Sequence, residues 1–428
     1  MNLFRFAPLV VVASAPLFAA ELPPPDLAAA EVAFAEALAA REAGDLHSYR
    51  TKIERAAELL PDPSRLLYRL AGARLLDGDR SGAIEAFGRQ VDAGFFRDPR
   101  KDAEFAPLLS DSSFTVLLAR LDALKEPLVA STVAFEIPRR DLLVEGLAWD
   151  AGTKSFCLSS VRQRRILRRS SDGALEELAV FPADRVGSPL GMAVDARQRR
   201  LWVAAAGLPQ GSAPESLLRR GAVVAIDLAT GKLAVEAGPF PSGQSANDLA
   251  VAPDGSVYVS DPEAKATVRV GADGSRKVLA EGHGLRSPGG VALSADAKLL
   301  YVADWSQGLA VVDVASGALT WMRPPARATV LGIDGLIAHG GSLLAIQNGV
   351  FPPRIARLEL AADGRSLRSA RILERGVPDW DEPTLGVVVD GALHYVAASQ
   401  WPRYGEDGKP TEDLEKLPYP TVRRLPLD

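Results

Sequence analysis

Glu145-Gly146-Leu147-Ala148-Trp149-Asp150, followed by Phe156-Cys157-Leu158-Ser159, is a unit that the chain repeats. Leu190-Gly191-Met192-Ala193-Val194-Asp195 leads in the same way to Leu201-Trp202-Val203-Ala204, and Asn247-Asp248-Leu249-Ala250-Val251-Ala252 leads to Val257-Tyr258-Val259-Ser260-Asp261. Gly289-Gly290-Val291-Ala292-Leu293-Ser294 leads to Leu300-Tyr301-Val302-Ala303-Asp304. Asp334-Gly335-Leu336-Ile337-Ala338 leads to Leu344-Ala345-Ile346-Gln347-Asn348, and Thr384-Leu385-Gly386-Val387-Val388 to His394-Tyr395-Val396-Ala397. Successive starts lie 45, 57, 42, 45 and 50 residues apart, the length of a four-stranded propeller blade. Between the apolar runs stand turn dipeptides such as Asp172-Gly173, Asp254-Gly255, Asp273-Gly274 and Asp390-Gly391, which read as hairpins. The 57-residue interval predicts an insertion at Gly207 to Arg220. The strand at Thr132 to Ile137 precedes the first unit and is expected to pair into the last blade, closing the ring and removing free sheet edges.

Upstream of the repeats the pattern is helical. Leu27 to Ala43, Leu46 to Leu60, Arg65 to Leu76 and Ala83 to Val91 read as four helices, with Ser113 to Leu124 as a cap. The turns Gly44-Asp45 and Gly78-Asp79 are 34 residues apart, and with Ala83 and Phe87 this segment resembles the tetratricopeptide repeat family. Such a stack serves either as a capping domain for the propeller or as a docking surface for a peptide. Met1 to Ala20 has Arg5, an apolar run from Ala7 to Phe18 and small residues at Ala13-Ser14-Ala15 and Phe18-Ala19-Ala20, which reads as an export signal, a membrane anchor being the alternative. The expected fold class is therefore α+β multidomain: signal peptide 1–20, tetratricopeptide-like α-helical repeat 21–128, and an all-β six-bladed propeller 129–428. The expected location is periplasmic or secreted, with no membrane span once the signal is removed.

The 428 residues are 47% hydrophobic, enough to build packed domains, and the formal charge of −5 gives no reason to expect nucleic acid as a partner. The single cysteine, Cys157, excludes an intrachain disulfide and a cysteine-based zinc site, and its apolar run reads as a buried structural thiol.

In a propeller, the residue at the head of each inner strand lies at one mouth of the axial channel. Around the ring these are Glu145, Leu190, Asn247, Gly289, Asp334 and Thr384. Two carboxylates and an amide are the oxygen ligands that a hard cation such as Ca²⁺ takes. The alternative is that they cap turns or bind channel water. The loops opening on the same mouth contribute Ser159, Asp261, Asp304, Trp305, Gln347, Asn348, Gln400 and Trp401. Trp305 and Trp401 either stack on a substrate or fill between blades. Asp261 and Asp304 read as turn-bonding groups, and His283 reads as a solvated loop residue or a proton shuttle.

Several of these motifs resemble the gluconolactonase, regucalcin and luciferin-regenerating-enzyme family, and more distantly the paraoxonases and strictosidine-synthase-like proteins. They are Glu145-Gly146-Leu147-Ala148-Trp149, Asn247-Asp248 with Pro253-Asp254-Gly255, Ser287-Pro288-Gly289-Gly290, and Ile333-Asp334-Gly335-Leu336, and the likeness spans about Asp141 to His394. The resemblance implies a divalent cation, Ca²⁺ foremost with Zn²⁺ or Mn²⁺ as alternatives, held by Glu145 and Asp334. It implies that Asp334 is the base that activates water and that Asn247 contacts substrate or metal. The family's metal-binding Asn falls on Gly289 here, so water, Asn247 or Asn348 would have to replace it. The expected activity is an exported metal-dependent hydrolase of the lactonase type acting on a small lactone or ester. Asn247, Asn348, Trp305 and Trp401 are its expected substrate contacts. The rival expectation is a non-catalytic propeller that binds a ligand or protein, with the helical repeats as a second docking surface.

Overall fold

The computed structural model describes residues 23–211 and 213–427. The expected signal peptide lies outside these described residues, and no described helix is long and apolar enough to cross a membrane. Five α-helices come first: α1 (Leu27–Glu42), α2 (Leu46–Leu59), α3 (Leu67–Leu76), α4 (Arg80–Asp92) and α5 (Ser112–Ala123). The two Gly-Asp turns have one mechanism. Gly44 and Gly78 adopt φ of +77° and +83°, and Asp45 N bonds Ala40 O as Asp79 N bonds Arg74 O, closing a Schellman motif. Each Asp then caps the next helix: Asp45 accepts from Ser48 N at 2.9 Å and Asp79 from Gly82 N at 2.9 Å. Tyr49, Ile53, Phe87, Phe105 and Phe114 are fully buried where the helices meet.

The remaining strands form six four-stranded antiparallel sheets. Their inner strands are Val144–Asp150, Ser188–Asp195, Leu249–Val251, Pro288–Leu293, Ile333–His339 and Gly386–Val389, and they number blades 1 to 6. The ring closes as the sequence predicts. Thr132–Glu136 is the outer strand of blade 6, paired antiparallel with Thr421–Pro426 from Thr132↔Arg424 to Glu136↔Thr421. The expected insertion is present as two short 3₁₀ turns, Pro209–Gly211 and Glu215–Leu217. It interlocks with the long blade 6 loop, where Gln210 Nε2 donates to Gly405 O at 3.1 Å. Cys157 is buried, and burial pushes its thiol up to about 12, as suits a structural group.

At the mouth, each blade touches the next through backbone. A Cβ on Gly146 would lie 2.2 Å from Leu190 O, and one on Gly191 would lie 2.9 Å from Asn247 O. Asp248, which stands where blades 1, 2, 4 and 5 have glycine, accepts from Val291 N at 3.0 Å instead. A Cβ on Gly290 would lie 2.3 Å from Asp334 O, and one on Gly335 would lie 2.5 Å from Thr384 O. Thr384 Oγ1 donates to Glu145 O at 2.9 Å and completes the circle.

Two adjacent glycines separate this constraint from ordinary glycine flexibility. Gly290→Ala is expected to cost about 1–3 kcal/mol in urea unfolding, because its methyl group meets backbone that cannot yield. At Gly289 the nearest atoms to a Cβ stand at 3.8 Å, so Gly289→Ala is expected to leave stability within about 0.5 kcal/mol of wild type.

Candidate functional site at the axial mouth

The heads of the inner strands are bulged. Pairing of blade 1 jumps from Val144 to Leu147, of blade 2 from Pro189 to Met192, of blade 4 from Pro288 to Val291 and of blade 5 from Ile333 to Gly335. Glu145, Leu190, Gly289 and Asp334 therefore lie on residues released from the ladder, which re-aims them. The amide freed at Gly146 is satisfied locally by Ser159 Oγ at 2.6 Å, and in the unbulged blade 3 Asp248 N donates to Ser260 Oγ at 3.1 Å.

Glu145 and Asp334 stand close enough in this ring for Asp334 to act on the Glu145 carboxyl, and each is braced by a neutral donor. Trp401 Nε1 donates to Glu145 Oε2 at 2.5 Å. Asn348 Nδ2 donates to Asp334 Oδ2 at 2.6 Å, and Trp305 Nε1 donates to Asn348 Oδ1 at 3.3 Å. Of the two tryptophans expected to stack on substrate, Trp401 thus also holds a carboxylate directly, and Trp305 holds the amide that braces one. Asn247 comes close as well: its Nδ2 stands 3.8 Å from where a Cβ on Gly289 would be. Glu145, Asp334, Asn247, Asn348, Trp305 and Trp401 are therefore brought to one place.

Two further acids belong here that the sequence reading did not single out as site residues. Asp248 was visible only as part of the Asn-Asp segment, and its place at the glycine step is the signal that could have marked it. Glu382 lies in the loop before Thr384 and follows no repeat spacing. That loop is fastened by Asp381, which accepts from Ser399 N and Gln400 N, and by Pro383 O, which accepts from Asn348 Nδ2 at 3.2 Å.

Burial pushes the Glu145 carboxyl well above the usual carboxylate range, and the nearby Asp334, Glu382 and Asp248 add to the effect. Asp334 is raised as well, by burial first and by Asp248, against the lowering bond from Asn348. Burial raises Asp248 to about 7; burial, with Asp334 and Asp381, raises Glu382 to about 7. Among the described residues no arginine or lysine is a main cause of the shift at any of these four acids, so their charge is not offset by a basic side chain there.

That imbalance bears on a cation. Among the described residues no group of three or more His, Cys, Asp or Glu stands ready to ligate a metal. Glu145 and Asp334 each have one oxygen engaged by a brace, leaving the other to a ligand, and Asn247 offers an amide. This donor chemistry fits a hard divalent ion whose shell is completed by water or substrate.

The remaining candidates of the mouth loops take structural places. Asp304 accepts from Arg286 N, Ser287 N, Ser306 N and Gln307 N, and Asp261 from Ser245 N and Ala264 N, which makes both turn-bonding groups. Gln400 and Gln347 are buried braces to backbone carbonyls. His283 does not reach the centre. It lies at the rim in a groove with Pro23, Asp26 and Leu27, and its carbonyl accepts from Trp321 Nε1 at 3.0 Å.

The fold and site define a six-bladed propeller with a braced carboxylate pair at its axial mouth. Residues 143–337 match the family described as the SMP-30/Gluconolactonase/LRE-like region, so the resemblance read from the motifs holds over that segment. No curated protein matches the chain in sequence. A solved gluconolactonase of Xanthomonas campestris is 21% identical over 72% of this chain and 92% of its own, with a TM-score of 0.46. A calcium-binding regucalcin of Agrobacterium tumefaciens is 16% identical over 70% and 94%, with a TM-score of 0.48. A virginiamycin B lyase of Staphylococcus aureus is 13% identical over 64% and 82%, with a TM-score of 0.44. None of these likenesses bears on the reaction.

The raised carboxyls give a testable sign. A carboxyl raised in the folded state holds its proton there longer than in the unfolded chain. Its contribution to stability is therefore complete below the unfolded value near 4 and is lost as pH rises through the folded value, here about 7 for Asp248 and Glu382. The melting temperature of chelator-treated protein is expected to fall by several degrees from about pH 5 to about pH 8. Added Ca²⁺ is expected to raise it more at the higher pH than at the lower.

Proposed function

We propose that the protein is a metal-dependent hydrolase of the lactonase type, exported to the periplasm or medium, acting on a small lactone or ester at the propeller mouth. The observation that carries this reading is the Glu145–Asp334 pair, buried, mutually repelling and braced only by neutral donors. The family match over residues 143–337 supports it coarsely.

Glu145 and Asp334, with Asn247, would hold the divalent cation, Ca²⁺ foremost and Zn²⁺ or Mn²⁺ otherwise. When bound, that ion polarises the acyl carbonyl and stabilises the developing oxyanion. Asp334 accepts a proton from water as the water oxygen bonds to the acyl carbon. The ring C–O bond then breaks, and the proton passes to the departing alkoxide oxygen, leaving a hydroxy acid. Asn348 fixes the Asp334 carboxylate so that its free oxygen faces the incoming water. Trp401 does the same for Glu145. Trp305 and Trp401 are tied to the centre through Asn348 and Glu145, and indole rings there suit a ring-shaped or apolar substrate.

One observation favours the rival reading, a non-catalytic propeller that binds a ligand or protein, with the helical repeats as a second docking surface. Gly289 brings no ligand where the family has Asn. The test is direct. Bound metal is measured on the purified full chain, and aldonolactones and acyl lactones are screened for turnover. Glu145→Gln and Asp334→Asn are each expected to lower kcat/KM by about 10²–10⁴-fold. Turnover indifferent to both substitutions, or none with any lactone, would overturn the hydrolase reading.

Gly289→Asn supplies the missing ligand into space that already admits a side chain, since nothing approaches its Cβ closer than 3.8 Å. It is expected to tighten Ca²⁺ binding by roughly tenfold in calorimetric titration.

A further inference from the structure

The helical domain does not merely adjoin the propeller. It reaches the mouth face of blades 3 to 5 through a set of contacts at α1, the α2–α3 turn and the end of α4. At the rim Glu31 pairs with Arg286, and Arg323 donates to Leu60 O and Glu58 O. Deeper in, two contacts converge on one short stretch, Thr329 to Gly332, which feeds the inner strand of blade 5.

Asp62, between α2 and α3, is 1% exposed and forms no ion pair among the described residues. Its Oδ1 accepts from Ser64 N at 2.9 Å, which fixes the side chain on its own turn. Its Oδ2 accepts two bonds from the propeller, from Thr329 Oγ1 at 2.5 Å and from Val330 N at 2.8 Å. Thr329 Oγ1 in turn accepts from Leu331 N at 3.2 Å. The second contact runs through Arg354, which is 4% exposed and donates to Ala93 O and Gly94 O beyond α4. Arg354 Nε also donates to Gln347 Oε1 at 2.9 Å, and Gln347 Nε2 donates to Thr329 O and Leu331 O.

The stretch held from both sides carries the acid site's support. Gly332 N donates to Trp305 O at 2.8 Å, and Gly349 N donates to Gly332 O at 3.1 Å. Trp305 lies so close over Gly349 that a Cβ there would be 2.4 Å from its ring. Asn348 braces Asp334 and Trp305 braces Asn348, and Asp334 itself follows Gly332 by two positions. Asp62, Thr329, Gln347 and Arg354 are all buried, so a shift at Thr329 passes through packed groups as far as Gly332, and only the last bond, from Trp305 to Asn348, is exposed.

We propose that Asp62 is a positioning residue for Asp334, and that the helical domain is thereby part of the catalytic mouth rather than a separate module. The proposal rests on the hydrolase reading for its kinetic consequence, not for its structural one. A carboxylate suits the task because one of its oxygens accepts both a hydroxyl and an amide, and charge-assisted bonds of this kind hold geometry more tightly than neutral ones.

The experiment uses the full chain with Asp62→Asn, Asp62→Ala and Thr329→Val, and Arg286→Ala as a docking control that leaves the 329–334 stretch untouched. Steady-state kinetics on a lactone substrate and amide hydrogen exchange are both recorded. Asp62→Ala and Thr329→Val are expected to lower kcat by roughly 10- to 100-fold with KM changed less than about threefold, as follows from displacing a reacting group by about 1 Å. Asp62→Asn keeps one acceptor and is expected to fall between these and wild type, while Arg286→Ala keeps wild-type kcat. Exchange is expected to quicken at 330–334 and 348–349 and to stay unchanged at the blade 1 and blade 2 heads. Unchanged kcat with unchanged exchange at 330–334, or exchange raised equally in all blades, would overturn the proposal. If the wild type turns over no lactone, the hydrolase reading fails on its own, and the exchange pattern alone decides the role of Asp62. If Asp62→Ala does not fold, Asp62→Asn and Thr329→Val decide it.

Discussion

Where four of the six inner strands bulge at the mouth, the next blade's backbone comes too close for even a methyl group. Gly146, Gly191, Gly290 and Gly335 each meet a neighbouring carbonyl within van der Waals distance, while Asp248 and Thr384 make the remaining two junctions by hydrogen bonds. The glycine step is therefore a packing requirement of the ring before it is a feature of any site. It fixes the radius of the mouth and with it the separation of whatever side chains sit one position earlier. Glu145 and Asp334 occupy two of those positions and cannot relax apart without opening a blade junction.

A fixed radius makes the acids costly. Their carboxyls are raised by burial first, with Asp334 adding most at Glu145 and Asp248 adding at Asp334, and the neighbouring donors are an indole, an amide and backbone N–H groups. Neutral donors orient a carboxylate without discharging it. An arginine in place of Trp401 would stabilise Glu145 at neutral pH and remove its attraction for anything else. The arrangement leaves a deficit of positive charge that only a proton or an external cation can meet, which is the condition under which a group can change protonation state during a reaction.

The fold was largely legible because a repeat announces itself. The six unit heads, their spacing and the closing strand ahead of the first unit could be aligned from residues alone, since each blade must solve the same packing problem with the same glycine, apolar run and turn. The helix boundaries were legible for a similar reason: Gly44-Asp45 and Gly78-Asp79 each encode a left-handed stop and a side-chain cap in two residues. At the site, Glu145 and Asp334 were found because they stand in register with the repeat. Glu382 was not, because it lies in a loop whose path depends on Asp381 bonding Ser399 and Gln400, a contact between segments with no common period. The spacing places Trp305 and Trp401 at the mouth, but their bracing bonds are not legible there, because the direction of an indole N–H is set by side-chain packing.

The same limit explains why Asp62 drew no notice. In sequence it is one more acid at a helix start, and in its own turn it does cap Ser64 N. Its second oxygen faces a domain that begins some seventy residues later along the chain. Capping needs only one oxygen and tolerates Ser, Thr or Asn equally well, so the local role leaves the choice of Asp unexplained. The two bonds from Thr329 and Val330 account for it, since burying a carboxylate is unfavourable unless both oxygens are satisfied. A domain that only needed to adhere could have done so with apolar contacts at the rim. Spending a buried carboxylate on the stretch that leads into Asp334 makes sense when the position of that stretch matters more than the strength of the attachment.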